Sequence, residues 1–300
     1  MRILYIAKHN SGGTDDEGAI TYALEQLGHR VVKIEQHGSF VARGFTMGYD
    51  LCLFHKWDSP QVLRELPMPK VFWYFDLVDY PSDPTLSRRC EQRRQWMDRI
   101  VPLVSIGFCT DGDWVANDKS GKLVCLRQGA DERVVGEGTL TNPNNDGTIV
   151  FPGISKGGGI QRIFFVDEMH GMYGEKFLHV QRGAYRRVLA DLIHNRIVVS
   201  PDSPKTDRYW SNRVYNVLGF GGFLLHPDCK ELHDHYTDGV EIEFYQDRAH
   251  LHYLIDLFSR NPEGRYAIGM KSLERTRKEH LYRHRCETLL KVLKDRGITS

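Results

Sequence analysis

The chain has 300 residues, enough for one large or two medium domains. Hydrophobic residues make up 41% of it and charged residues 26%, so the chain can bury a sizeable core and its composition is not that of a disordered protein. A net charge of +1 gives no overall field that would favour nucleic acid or an anionic membrane.

The N-terminal stretch MRILYIAKHN predicts a buried strand rather than a secretory signal, because its apolar run is short and no small-residue cleavage site follows. No run approaches the ~18 apolar residues of a membrane-spanning helix. The six cysteines contain no CxxC pair, which indicates reduced thiols and neither disulfides nor a structural zinc site. We therefore expect a cytoplasmic protein.

The first half alternates short apolar runs with helical segments, the rhythm of an open parallel α/β sheet. The predicted strands are RILYIA, RVVKIEQ, YDLCLFHKW, KVFWYFDLVDYP, LVSIGFCTDGDW and KLVCLRQGAD. A helix is predicted at AITYALEQLG, and a basic helix at SRRCEQRRQWMDRI. The Gly-, Asn- and Thr-rich stretch VVGEGTLTNPNNDGT then predicts a linker between domains.

The same rhythm restarts after the linker. Strands are predicted at TIVFPGIS, FLHV, RIVVS, FLL and EIEFYQ, and helices at IQRIFFVDEMHGMYG and AYRRVLADLIHN. From Asp247 to about Arg296 the pattern predicts almost continuous helix, broken near 261–264. We expect a two-lobed α/β protein with an N-terminal domain at 1–130, a linker at 131–146, a second domain at 147–270 and a C-terminal helix at 271–300.

The second half contains a Gly-rich turn that could hold an anion. In YWSNRVYNVLGFGGFLLHPDCKELHDHY a helix is followed by Gly221 and Gly222 and then by a buried strand. Glycines beside a helix end let backbone N–H groups approach an anion, although a plain helix cap explains them equally well. Arg213 lies one helix length earlier and would add a cation; Tyr209 and Asn212 lie on the same turn.

Two further Gly-rich loops follow predicted strands. Lys156 and three glycines open a helix that carries Arg162 one turn in, which combines a helix N-terminus with two cations. The loop lacks the GK[ST] ending of a P-loop, and a solvated loop is the alternative. Gly12 and Gly13 follow the first strand and could present N–H groups to a phosphate or another ligand, or could form an ordinary turn.

Several of these elements, taken in order, resemble the C-terminal lobe of GT-B glycosyltransferases, most of all the spore-maturation-protein-like branch. The resemblance covers residues 147–296. It rests on Arg213 before the helix, the glycine pair before the strand, the acidic strand 241–245 and the tail EHLYRHR. It implies two Rossmann-like lobes facing across a cleft, with a long C-terminal helix crossing back.

The resemblance also implies an activity, the transfer of a sugar from a nucleotide sugar, most often a UDP-sugar. Arginines, lysines and helix N-termini can neutralise the leaving diphosphate, so we expect no obligatory metal or cofactor. Many retaining members carry two glutamates eight residues apart where this chain has Arg208 and Asn216. Glu231 or Glu241 could hold the ribose instead, and inversion is slightly favoured over retention.

An inverting transfer needs a base for the acceptor hydroxyl, expected at a strand end of the first domain. Such ends carry His9, His55 with Asp58, Asp76 with Asp79, and Asp111 with Asp113. We favour Asp76, because a carboxylate after an aromatic-rich strand can be partly desolvated, which raises its basicity; His9 is next. Either carboxylate at that strand end could instead cap the loop.

The DxD tripeptide at 111–113 could bind a metal, but Asp-Gly is also a common turn.

The sequence leaves several chemical classes of sugar acceptor possible. The predicted basic helix carries five arginines: Arg88, Arg89, Arg93, Arg94 and Arg99. They form either a solvated face or a surface for a polyanion such as DNA carrying hydroxymethylated bases. A glycan or protein acceptor is the other possibility. Two rival classes are a non-catalytic nucleotide-sugar-binding module and a dinucleotide-dependent oxidoreductase, whose G-x-G-x-x-G spacing the first loop lacks.

Overall fold

The computed structural model describes residues 1–9, 15–36, 48–80, 84–136, 147–155, 159–180, 190, 193–194, 196–201 and 204–299. The chain forms two compact units. The first consists of Met1–Asp79, Arg88–Glu132 and Tyr282–Ser300, and the second of Tyr80–Ser87 and Arg133–Leu281. The predicted linker falls largely on 137–146, outside the described residues.

The first unit is built on a parallel sheet of six strands in the order β2-β1-β3-β4-β5-β6. The strands are β1 (Arg2–Ala7), β2 (Arg30–Glu35), β3 (Leu51–Phe54), β4 (Lys70–Tyr74), β5 (Ile106–Cys109) and β6 (Leu123–Cys125). Its helices in the first part of the chain are α1 (Asp16–Gln26), α2 (Pro60–Glu65), α3 (Ser87–Ile100) and α4 (Gly112–Ala116).

Both faces of this sheet are buried, which explains why its strands are continuous apolar runs rather than alternating ones. On β1, Tyr5 packs into one core cluster with Trp73, while Ile6 packs into a second cluster with Phe54 and Trp96.

The second unit is built on a parallel sheet of five strands in the order β11-β10-β9-β7-β8. The strands are β7 (Ile149–Pro152), β8 (Phe177–Val180), β9 (Ile197–Val199), β10 (Phe223–Pro227) and β11 (Glu243–Tyr245). The described helices here are α5 (Ile160–Tyr173), α6 (Arg213–Gly219), α7 (Arg248–Ser259) and α8 (Pro262–Glu279).

The C-terminal helical region breaks twice, whereas the sequence pattern predicts one break. The first break is as predicted: Asn261 accepts a hydrogen bond from the Gly264 N–H at 2.9 Å and caps α8, with Pro262 in its first turn. The second falls at 280–281, after which α9 (Tyr282–Asp295) belongs to the first unit and packs on α1. In the described part of the chain, no helix has the length and apolarity needed to cross a membrane.

Candidate functional site

The carboxyl edge of the second sheet gathers most of the predicted anion-binding side chains. In parallel α/β sheets this edge is where ligands bind. Arg213 begins α6, and its Nε donates a hydrogen bond of 2.8 Å to the carbonyl of Pro152 at the end of β7. Arg162, in the first turn of α5, donates from Nη1 to the carbonyl of Ile154 at 3.3 Å, one residue beyond Gly153. Both guanidinium groups therefore lie at the end of β7.

The orientation of the Arg213 guanidinium is fixed by the residues packed around it. Its central carbon lies 5.0 Å from the centre of the Phe151 ring, and a Cβ on Gly153 would lie only 2.4 Å from Nη2. His179 donates from Nε2 to the carbonyl of Gly153 at 2.8 Å and stacks on Phe151 with 5.1 Å between ring centres. Only glycine at position 153 leaves room for the arginine in this orientation.

The two arginines repel each other. Burial lowers the pKa of Arg213 to about 9, with the charge of Arg162 as the second cause; burial also lowers the pKa of Arg162. The Tyr209 hydroxyl acts in the opposite direction on both groups, so it too lies close to them. An anion placed at these guanidinium groups would relieve the repulsion, because it brings a negative charge close to both of them.

The loop before α6 is tied to the segment that follows β10. Arg208 forms an ion pair with Glu231, and the Glu231 N–H donates to the carbonyl of Asp207 at 2.9 Å. Thr206 donates from Oγ1 to the carbonyl of Tyr209 at 2.7 Å. Glu231 is therefore positioned on the same edge of the sheet as Tyr209, Asn212 and Arg213.

A buried histidine that the sequence reasoning missed lies near Arg213. His226 on β10 donates from Nδ1 to the carbonyl of Pro227 at 2.7 Å. Burial lowers its pKa to about 4, and the charge of Arg213 adds to the effect. The ring is therefore neutral near pH 7, with Nε2 as a hydrogen-bond acceptor.

Gly221 and Gly222 are not at this edge, which corrects the expectation that they share an anion site with Arg213. They follow the other end of α6, eight residues on, which is about 12 Å along a helix and at its negative end. Gly221 has φ +71°, and a Cβ on Gly222 would lie 2.9 Å from Val217. A Cβ on Gly269 of α8 would lie 2.2 Å from the carbonyl oxygen of Gly221. The glycine pair therefore serves a tight turn and close packing.

Three predicted residues, Gly12, Gly13 and Lys156, lie outside the described residues. Lys156 belongs to the connection between β7 and α5, whose flanking residue Gly159 has φ +85°.

In the first unit, polar side chains follow the strands in the order of the sheet. Glu35 ends β2, His9 follows β1, His55 follows β3, Asp76 follows β4 and Asp111 follows β5. Since β3 lies between β1 and β4, the positions of His9 and Asp76 are two strand spacings apart, roughly 10 Å.

His9 has the geometry of a proton acceptor. Its Nε2 is 3.1 Å from the Tyr5 carbonyl, to which only an N–H can donate, so in the neutral ring Nδ1 carries the lone pair. The backbone N–H of His9 donates to Glu35 Oε2 at 2.9 Å. Burial lowers the pKa of His9 from 6.5, which keeps the ring neutral near pH 7. Glu35 is a partner that the sequence reasoning missed, although its place at the end of the strand beside β1 was a usable signal.

His55, another predicted candidate, is buried and has both ring nitrogens engaged. Nδ1 donates to the Trp73 carbonyl at 2.7 Å, and Nε2 accepts from the Tyr5 hydroxyl. Burial lowers the pKa of His55 to about 3. These contacts give His55 a structural role in joining β1, β3 and β4.

Asp76 is not the desolvated carboxylate expected from its strand. Its side chain is 35% exposed and forms ion pairs with Lys56 and, at 3.4 Å, with Arg93. Both cations contact the same oxygen, Oδ2. The desolvation expected from its place after an aromatic-rich strand is therefore not observed.

The Asp111-Gly112-Asp113 tripeptide is a helix cap. Asp111 is buried and accepts from the N–H groups of Trp114 at 3.0 Å, Val78 at 2.8 Å and Asp79 at 3.4 Å. Burial raises its pKa, and the three N–H groups oppose that rise. Among the residues that the structure describes, no group of three or more His, Cys, Asp or Glu could hold a metal ion.

The basic helix α3 is partly neutralised within its own unit. Besides Arg93 with Asp76, Arg94 pairs with Asp79 at 2.5 Å and Arg99 with Asp58 at 2.6 Å. Three of the five arginines thus face carboxylates rather than an open basic stripe, which does not favour the polyanion interpretation.

Comparison with known proteins agrees with this architecture. A family model described as "Glycosyl transferase-like" matches residues 166–291. No curated protein sequence matches the chain. Among solved structures, Anabaena HepE in complex with UDP-glucose matches with a TM-score of 0.65 at 11% identity, covering 98% of this chain and 100% of that one.

Two further structures match over nearly their whole length. Sucrose-phosphate synthase from Thermosynechococcus elongatus has a TM-score of 0.66 at 14% identity, with 98% of each chain covered. A glycosyltransferase from Rickettsia africae has a TM-score of 0.64 at 10% identity, covering 100% of this chain and 99% of that one. With its two parallel α/β sheets, the chain has the GT-B glycosyltransferase fold.

Proposed function

We propose that the chain is a glycosyltransferase that takes its sugar from a UDP-sugar. The fold and the family model over 166–291 support the activity, and the complexes of HepE with UDP-glucose and of an E. coli trehalose-6-phosphate protein with UDP-2-fluoro glucose support the donor class. The observation that carries the proposal in this chain is the pair Arg162 and Arg213, two neighbouring guanidinium groups at the carboxyl edge of the second sheet.

The donor diphosphate would lie against these two guanidinium groups, which neutralise it as it leaves. Glu231, held by Arg208, is the carboxylate we assign to the ribose hydroxyls. Tyr209 and Asn212 on the same loop would contact the donor. Lys156, which lies outside the described residues, is a further candidate cation for the diphosphate. Since arginines supply the positive charge, the transfer of a hexose needs no bound divalent metal.

For the acceptor step, His9 is the better candidate base than Asp76, because Nδ1 carries a lone pair whereas Asp76 is engaged by two cations. His9 would take the proton of the acceptor hydroxyl while the oxygen of that hydroxyl bonds to the anomeric carbon of the donor sugar. The bond from that carbon to the phosphate oxygen breaks, and its electron pair leaves with UDP. This sequence inverts the anomeric centre.

The acceptor class stays a proposal: a glycan or protein, or a hydroxymethylated DNA base. The assignment to the spore-maturation-protein-like branch is likewise a proposal on residues 147–296. One observation favours a non-catalytic nucleotide-sugar-binding module, namely Arg208 and Asn216 at the positions of the paired glutamates.

The test measures UDP affinity by calorimetry and UDP release from UDP-glucose, with and without EDTA. Replacing Arg213 or Arg162 with Ala should weaken UDP binding by about 10- to 100-fold, the loss expected for hydrogen bonds to a charged group. Arg260→Ala, at an exposed arginine paired with Asp256, is the control and should change affinity little.

Equal UDP affinity in all three variants would refute the site. UDP binding without UDP release on any acceptor would favour the non-catalytic module, and loss of release in EDTA would refute metal independence.

A further inference from the structure

Two cysteines face each other across neighbouring strands of the first sheet. Cys109 ends β5 and Cys125 ends β6, and the two residues are partners in the parallel register of these strands. The structure describes all six cysteines, and no other described strand pairing brings two of them into register. Cys109 and Cys125 are therefore the two thiols whose separation the sheet itself fixes.

The spacing of the two residues suits a covalent bond between their sulfurs. Register partners on neighbouring strands have Cα atoms about 4.8 Å apart, and disulfides join residues whose Cα atoms are about 4.4–6.8 Å apart. The side chains also share a face of the sheet, because Leu123, two residues before Cys125, packs in the same core cluster as Cys109. The charge of Cys125 is among those that act on the Cys109 thiol, as expected of two sulfurs that lie close together.

The two thiols differ in access. Cys109 is fully buried, and burial raises the pKa of its thiol, although the Asp111 N–H and the charge of Arg127 oppose that rise. Cys125 is only partly buried, and it is the last residue of a three-residue strand at the edge of the sheet. An oxidant in solution therefore reaches Cys125 first, and Cys109 can react only with the sulfur of its neighbour.

We propose that Cys109 and Cys125 form a reversible intramolecular disulfide when the chain meets a small disulfide such as oxidised glutathione. The Cys125 thiolate attacks one sulfur of the glutathione disulfide, and the first glutathione leaves as its thiolate. The Cys109 thiolate then attacks the Cys125 sulfur of this mixed disulfide, and the second glutathione leaves. The two cysteines lose two electrons and two protons, and the glutathione disulfide is reduced to two glutathione molecules.

The disulfide changes the turn that follows β5. In the reduced chain the Asp111 N–H is hydrogen-bonded to the Cys109 sulfur. The carboxylate of Asp111 accepts from the N–H groups of Val78 after β4 and of Trp114 in α4. A Cys109 sulfur bonded to Cys125 is withdrawn from the Asp111 N–H, so the redox state of the pair alters the hydrogen bonding at these strand ends. This site goes beyond the proposed transfer of a sugar and does not depend on it.

The experiment incubates the full chain with oxidised glutathione under native conditions, blocks the remaining thiols with iodoacetamide and maps the peptides by mass spectrometry. The variants are Cys109→Ala and Cys125→Ser. Cys90→Ala is the matched control, since Cys90 is a buried cysteine of the same unit, on helix α3. Melting temperatures of the variants show whether each one is folded, and the wild-type result stands without them.

We expect one linked peptide pair, Cys109 with Cys125, in the wild type and in Cys90→Ala, and dithiothreitol should restore both thiols. Cys109→Ala should instead keep glutathione on Cys125, because the thiol that displaces it is absent. Cys125→Ser should take up no glutathione on the buried Cys109. The Asp111 amide hydrogen should exchange with deuterium faster in the bridged wild type than in the reduced one.

A wild type that keeps glutathione on Cys125 without the linked pair would overturn the proposal, because the two sulfurs would then not meet. Retention of all six thiols, a link that includes another cysteine or joins two chains, or a bridge that resists dithiothreitol would overturn it as well. Equal hydrogen exchange at Asp111 in both forms would overturn the coupling of the pair to the turn.

Discussion

Arg213 and Gly153 are sterically coupled: a Cβ on Gly153 would lie 2.4 Å from Nη2 of the arginine and 2.8 Å from the Phe151 ring. Gly153→Ala should therefore displace the guanidinium and raise the dissociation constant of UDP by about tenfold or more. Calorimetric titration with UDP measures the effect.

The same substitution in an Arg213→Ala background should have little further effect on UDP affinity, because the group it displaces is already absent. Additive losses in the double variant would show that Gly153 acts independently of Arg213. Gly171→Ala is a matched control at an exposed position of helix α5, where an added Cβ meets nothing within 4 Å.

Gly269 of α8 provides a prediction about packing rather than binding. A Cβ there would lie 2.2 Å from the Gly221 carbonyl oxygen, a backbone atom that cannot rotate away. Gly269→Ala should lower the free energy of unfolding by about 1–3 kcal/mol, as overpacking does. Urea denaturation measures this value.

Gly171→Ala should instead raise the free energy of unfolding by about 0.5–1 kcal/mol, the usual gain for alanine over glycine in a helix. A neutral Gly269→Ala would mean that Gly221 and its turn are not closely packed against α8, and the glycine pair would again be open to an anion-binding role.

The sequence predicted most of the architecture because buried parallel strands leave a continuous apolar signal. The strands from RILYIA onward, the restart of the strand and helix alternation after the linker, and the helix break near 261–264 all follow from local pattern. The break at 280–281 was not predicted, since it depends on a contact distant in sequence: Tyr282 donates to the Ala130 carbonyl at 2.9 Å.

The site was less predictable for the same reason. Strand-end positions drew attention to His9, but its partner Glu35 lies on another strand, and the order of the strands in the sheet cannot be read from local sequence pattern. The glycine pair Gly221 and Gly222 did indicate a special backbone feature, but glycine is required for close packing as often as for anion binding, and sequence alone does not distinguish the two. The two cations that pair with Asp76 could not be predicted, because Lys56 and Arg93 are distant from it in sequence and contact it only in the folded chain.

Glu243 makes stability depend on pH. Burial, assisted by the neighbouring Asp238, raises the pKa of Glu243 from 4.5 to about 7. Because the folded pKa is above the unfolded one, the stabilisation is complete below about pH 4.5 and is lost as the pH rises to about 7. Glu243→Gln should therefore be more stable than the wild type above pH 7, by about 1 kcal/mol after allowance for partial exposure.

Thermal or urea unfolding at pH 5 and pH 8 measures that difference, with the exposed Glu274→Gln as control. A stability gain of equal size at both pH values would show that the glutamate does not titrate in this range.

His9 is the residue on which the proposed acceptor chemistry depends. His9→Gln keeps a hydrogen-bonding amide but cannot accept the proton, so kcat should fall by about 10²- to 10⁴-fold with UDP affinity unchanged. Since burial lowers the pKa of His9, the wild type should keep its kcat/KM down to below pH 6.5 and lose it as the ring becomes protonated, and this acid limb should vanish in the variant. Asp76→Asn should keep donor affinity and lower turnover less than His9→Gln does, because its carboxylate is already engaged by Lys56 and Arg93. If Asp76→Asn abolished kcat and the acid limb while His9→Gln left both intact, the base would be Asp76.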